Sequence, residues 1–135
     1  MPVPATVRGP WQARQFTRRW LCSEHAGEIE WEALLVASEL VKDALVRGAP
    51  PIRLSLDCWG SAVVISVEDQ ATPAPLDEDN RQLALFLLET VTADWGIEPI
   101  GSGRRIWGMV RTAPQADLES VHWHCDRRAD TTLTS

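Results

Sequence analysis

The sequence predicts an α+β fold, a two-layer α/β sandwich in which a mixed, mostly antiparallel sheet carries helices packed on one face. Three observations predict it. Residues Glu28 to Arg47 contain no proline or glycine and repeat apolar side chains at helical spacing. Two runs, Ile52 to Trp59 and Ala62 to Glu68, read as strands separated only by Gly60-Ser61. A second helical run, Arg81 to Thr92, then leads into a further strand pair around "IGSGRR". Strands in hairpins beside helices give separate layers of sheet and helix.

Residues 1–9 are proline-rich and predict a flexible N-terminus. Trp11, Phe16 and Trp20 recur at helical spacings, which predicts a short amphipathic helix to Leu21 and makes these three candidates for an apolar dimer contact. Ser23 to Gly27 reads as a loop. The main helix follows, with Glu28, Glu30 and Glu32 in its opening turns, where the dipole favours acids. Gly48 and Pro50-Pro51 stop it. Ile29, Ala33, Val36, Leu40 and Ala44 form its apolar stripe, widened by Leu34, Val41 and Leu45. Glu39 and Asp43 stand four apart and share a face.

In the first strand Ile, Leu, Leu and Cys alternate with Arg, Ser and Asp, the pattern of a half-buried strand. Ala93 to Pro99 and Arg104 to Arg111 read as the last two strands, in which Trp95 and Trp107 are packing residues. Beyond position 112 apolar periodicity is lost apart from Val121 and Trp123, and 113–135 reads as a flexible C-terminal tail. The domain is therefore placed at 10–112.

The chain has 135 residues, net charge −6 and an apolar fraction of 44%, which suits one domain with a real core. A net acidic chain argues against direct nucleic-acid binding and against docking on an anionic membrane. No apolar run reaches the roughly 18–20 residues that cross a bilayer, and the N-terminus lacks an apolar signal region, so a cytoplasmic protein is expected. Cys22, Cys58 and Cys125 are odd in number and far apart, which fits a reducing compartment. The charge is uneven. Arg8, Arg14, Arg18 and Arg19 precede the first acid, whereas Glu68 to Asp94 holds seven acids against one base, Arg81. Two solvated faces and two distinct partner surfaces both account for this. His122, His124 and Cys125, with Cys22 or His25, offer zinc-ligating atoms, but without the usual ligand spacing, and no metal site is assigned.

Read in order, "VASELVKDALVRGAPPIRLSL", "AVVISVEDQ", "RQLALFLLETVTADWGIEP" and "GSGRRIWGMV" resemble the histidine-kinase-like ATPase (Bergerat) fold in the stand-alone form of the bacterial anti-sigma-factor serine kinases. The resemblance runs from about Trp11 to Arg111, and is specific in the combination of "SELV…AL" and "ADWG" rather than in either alone. It implies a helix whose Glu is the general base and whose Asn, four residues on, holds Mg²⁺. Here Glu39 keeps the base and Asp43 stands for the Asn. A carboxylate still ligates Mg²⁺, but adds negative charge beside a triphosphate.

The resemblance further implies an Asp-x-Gly-x-Gly run whose Asp accepts a hydrogen bond from the adenine amino group. Here Asp69 is kept and both glycines are lost, to Ala71 and Pro73. It also implies Gly-x-Gly-Leu beneath the phosphates, where this chain has Asn80, Arg81, Gln82 and Leu83. Glycine lets main-chain N–H groups approach phosphate, and Pro73 removes a donor. Asp77, Glu78 and Asp79 precede the same helix, and like charges about 4–6 Å apart repel by a few kcal/mol at an effective dielectric near 20.

The residual nucleotide pocket is thus Asp43, Asp69, Asn80 and Gln82, with Glu39 a vestigial base. The resemblance implies an anti-sigma factor that sequesters an alternative sigma factor by protein–protein binding, with no cofactor retained. Its expected partners are that sigma factor, a STAS-type anti-sigma-factor antagonist and a second copy of itself. The alternatives are an active Mg·ATP-dependent serine kinase using Glu39 and Asp43, and a metal- or redox-sensing regulator.

Overall fold

The computed structural model describes residues 5–21, 23–59, 62–70, 86–101, 103–111 and 127–133. Two helices, α1 (Ala5–Trp20) and α2 (Ser23–Arg47), precede five strands: β1 (Ile52–Trp59), β2 (Ala62–Asp69), β3 (Asp94–Ile100), β4 (Gly103–Arg111) and β5 (Arg127–Leu133). Residues 86–91 are also helical. The strands form one sheet in the order β3-β4-β2-β1-β5, and every pairing is antiparallel. The α+β class holds, with the helices on one face.

The core lies between α2 and that face. Ile29, Ala33, Val36, Leu40 and Ala44, one stripe of α2, are all buried, as are Leu34 and Val41 beside it. Against them the strands present Leu54, Leu56, Val63, Ile65, Val67, Ile106 and Val110, the inward set of the period-2 alternation. Gly108 lets the layers close: a Cβ there would stand 2.9 Å from Thr92 Cγ2 and 3.1 Å from Leu88 Cδ2.

The opposite face is mixed: Val64, Trp107 and Met109 lie on it beside polar and charged side chains. Across it the strand register sets Arg53, Glu68, Arg105 and Glu98 in one row of alternating charge. Ion pairs cross it at 2.7 Å between Arg53 and Asp130, 3.2 Å between Arg105 and Glu98, and 3.6 Å between Arg128 and Asp57. The hydrogen bond from Arg53 to Asp130 raises the Arg53 pKa above its ordinary value.

Several boundaries differ from the sequence reading. Residues 127–133 belong to no tail: they form the edge strand β5, paired to β1 from Ile52↔Leu133 to Cys58↔Arg127. An edge strand with one buried apolar anchor, Leu133, carries almost no periodic apolar signal. Helix α1 begins at Ala5 instead of Trp11 and runs through Gly9 and Pro10. Tight packing offsets the hydrogen bond that Pro10 removes: a Cβ on Gly9 would run into Leu45 Cδ1. Helix α2 starts at Ser23, the segment read as a loop, because one Gly27 costs a helix only about 1 kcal/mol.

The α1 aromatics do not share one apolar face. Trp11 is exposed, while Phe16 and Trp20 pack together on the core, ring centroids 6.4 Å apart. No described helix is long and apolar enough to cross a membrane.

Candidate functional site

Two of the pocket residues named from sequence, Asp43 and Asp69, lie near the end of the sheet where β2 finishes, on either side of one arginine. Asp69 is the last residue of β2, on its inward side, because the alternation Val63, Ile65, Val67 carries it there; its carboxylate is buried. Asp43 lies one turn before the end of α2, and α2 packs across β2 and β4, so this carboxylate also points inward and is buried. Between them comes a side chain that sequence reasoning did not single out. Arg104 on β4 is the register partner of Asp69 and only 5% exposed.

The Arg104 Nε–H donates to Asp69 Oδ2 at 2.9 Å. Its Nη2 lies 4.0 Å from Asp43 Oδ2, close enough for Coulombic attraction and too far for a hydrogen bond. Among the described residues Nη2 has no hydrogen-bond partner, and it is shielded from solvent.

Main chain completes the enclosure of Asp69. Gly48 N donates to Ala44 O at 2.8 Å and ends α2. A Cβ on Gly48 would meet Asp69 Cγ at 2.6 Å and Oδ2 at 2.7 Å, and one on Gly103 would collide with Asp69 O. The Gln70 N–H donates to Ala49 O at 2.8 Å, tying the end of β2 to the segment after α2. Glycine is required at 48 and 103 for close approach.

The Asp69 carboxylate already holds a charged partner. A hydrogen bond from a neutral amino group contributes about 0.5–1.5 kcal/mol net. Removing one partner of a buried ion pair costs about 3–5 kcal/mol. The Asp69–Arg104 pair is thus the costlier of the two kinds of contact to break.

At the same end of the sheet a cleft of about 330 Å³ opens, and Asp69 and Arg104 themselves line it together with Arg53, Glu68, Gln70 and Ile100. It lies at the small end of the range for ligand sites, about 300–1,000 Å³. Its walls carry both signs of charge.

Of the other named residues, Glu39 is half-buried on α2 and makes no ion pair among the described residues. It stands on the α2 turn before Asp43. Asn80 and Gln82 lie outside the described residues, as do Cys22, His122, His124 and Cys125. Among the described residues, no three His, Cys, Asp or Glu side chains gather as a metal site would require.

One signal in the sequence leads to Arg104. If the strand ending in "VED" pairs antiparallel with the strand beginning "GRR", Asp69 falls opposite Arg104. No known protein family and no curated protein sequence matches this chain.

Proposed function

We propose that this protein is a regulator that works by binding another protein, an anti-sigma factor whose nucleotide pocket is closed by its own Arg104. One observation carries the reading: Asp69, the carboxylate that would receive adenine in the Bergerat fold, is buried and already bonded to Arg104 at 2.9 Å. Two further features support it. The α+β class with helices on one face is the class read from the sequence, and Asp43 adds a second buried carboxylate where Mg²⁺ and phosphate would lie in that fold.

In this reading the protein is cytoplasmic and holds an alternative sigma factor away from RNA polymerase. A STAS-type antagonist competes for it, and a second copy completes the functional unit. Partner exchange then follows concentration and affinity, not the nucleotide state.

The test has two parts. Purified protein is titrated with Mg·ATP by calorimetry, and heat consistent with micromolar affinity overturns the closed-pocket reading. The protein is then added to transcription by polymerase bearing each alternative sigma factor of its host. Inhibition of one of them without nucleotide is expected, and inhibition of none refutes the assignment. Phosphate transferred to a STAS-type partner, and lost with Glu39→Ala, would establish the kinase alternative instead.

A further inference from the structure

We infer that the outer edge of β5 pairs with β5 of a second copy of this chain, antiparallel and about a two-fold axis at Ala129, so that one sheet runs through both copies. The inference names the surface used by the second copy in the functional reading above; it rests on that reading for its purpose, and on register and charge for its geometry. Among the described residues, β3 and β5 are the two edges of the sheet, and an unpaired edge is a template for another strand. The two edges are built differently.

Antiparallel alternation sets which main-chain groups face outward. Trp59 pairs with Ala62 across a two-residue turn, and residues flanking such a turn bond each other. Arg53, Ser55, Asp57 and Trp59 therefore direct their N–H and C=O groups to β2, and Ile52, Leu54, Leu56 and Cys58 direct theirs to β5. Their partners in β5 are Leu133, Thr131, Ala129 and Arg127, which leaves the main-chain groups of Arg128, Asp130 and Thr132 pointing outward. The same count on β3, from Ile100 opposite Gly103, turns Trp95, Ile97 and Pro99 outward. That edge is blunted: the Trp95 N–H already donates to Asp94 Oδ1 at 2.9 Å, and Pro99 has no N–H. Strand β5 contains no proline, and its outward charges, Arg128 and Asp130, are of opposite sign.

Charge on an edge ordinarily keeps a second copy away. In β5 the register reverses this. An axis at Asp130 would set that carboxylate opposite itself. An axis at Ala129 sets Arg128 of each copy opposite Asp130 of the other, and opposite charges across a pair attract. Both pairs fall where the main chains exchange hydrogen bonds, and the small Ala129 side chains meet in the closer, non-bonded position between them. Within the chain Arg128 lies 3.6 Å from Asp57 and Asp130 2.7 Å from Arg53, yet the Arg128 side chain is 63% exposed. Across the junction these pairs join into one row of alternating charge. Helix α1 packs against β5 and β1, so pairing the edges also brings the two α1 helices to the junction.

The experiment is sedimentation equilibrium of the full chain as wild type, Arg128→Asp, Asp130→Arg, an equimolar mixture of those two, and Arg128→Pro. The wild type is expected to sediment at twice the 15.0 kDa of one chain. Each charge variant alone sets like charges opposite each other, and its association is expected to weaken about tenfold or more. The mixture restores opposite charges and is expected to form a heterodimer as tight as the wild-type dimer. Arg128→Pro removes an outward N–H and keeps the bonds to β1, so it is expected to melt close to the wild type and to be monomeric.

A monomeric wild type, charge variants that dimerise as the wild type does, or a mixture that stays monomeric overturns the inference. Should a charge variant fail to fold alone, Arg128→Pro decides: loss of the dimer supports the surface, and a dimer retained overturns it. Failure here and failure of the functional reading are separable. A monomer that inhibits a sigma factor overturns the β5 surface and leaves that reading standing, whereas a β5-linked dimer that inhibits none upholds the surface and refutes the reading.

Discussion

Replacing Arg104 by Met removes the charge and keeps most of the volume, so the loss in stability reports the electrostatics of the pocket. Both partners of the ion pair are almost fully withdrawn from water, with side-chain exposures of 6% and 1%. Solvent screening is therefore weak, and Asp69 in the variant is left as a buried carboxylate beside Asp43. Breaking a buried pair in this way costs about 3–5 kcal/mol, a large share of the roughly 5–15 kcal/mol that holds a typical domain.

Urea unfolding followed by tryptophan fluorescence measures it. With m about 2 kcal/mol/M for a domain of this size, the midpoint falls by about 1.5–2.5 M while m stays constant. Asp69→Asn in the same background removes that buried charge, so the double variant is expected to recover part of the loss. The double-mutant cycle isolates the pair from the packing changes. A midpoint shift below about 0.5 M, or losses that simply add, would refute the claim that Asp69 and Arg104 serve each other.

Gly48→Ala drives a Cβ to within 2.6 Å of both Ala44 O and Asp69 Cγ, and is expected to cost about 1–3 kcal/mol in the same assay. Leu40→Ala empties a position that is 2% exposed between α2 and the sheet, with an expected cost of about 2–5 kcal/mol. Arg53→Ala breaks a pair whose side chains are 46% and 39% exposed. Its effect on the melting temperature is expected to be far smaller than that of Arg104→Met and to vanish in high salt.

The parts of the fold with strong periodic signals were legible in the residues. The α2 stripe from Ile29 to Ala44 is buried as its spacing requires, and the alternation from Ile52 to Cys58 places the apolar side chains inward. Both hairpins follow from short turns: Trp59 pairs with Ala62 and Ile100 with Gly103. Gly101, at φ 56°, supplies the left-handed position that the second turn uses. Edge and end elements were not legible. In β5, Arg128, Asp130 and Thr132 face away from the core, and Leu133 is the strand's one buried apolar side chain among the described residues. What makes it a strand is the ladder of main-chain bonds to β1, and that depends on the register of the finished sheet.

The pocket divides along the same line. Asp43 and Asp69 were named through the resemblance, by their places in "SELVKD" and "VEDQ", each a short local run within or at the end of one element. Arg104 was not, because its role depends on a residue 35 positions away. In the sequence "GSGRR" reads as a turn followed by surface charge, which is correct for Arg105: it faces the polar side and pairs with Glu98. Its neighbour differs by one step in a period of two, and that step turns the guanidinium from solvent to the core. The inward position would be prohibitive for an arginine alone. It becomes stable here because register delivers a carboxylate opposite and α2 brings a second one to within 4.0 Å. Pairing register is therefore what makes a buried arginine tolerable in this corner of the fold, and a shift of one residue in either strand would leave it without that carboxylate.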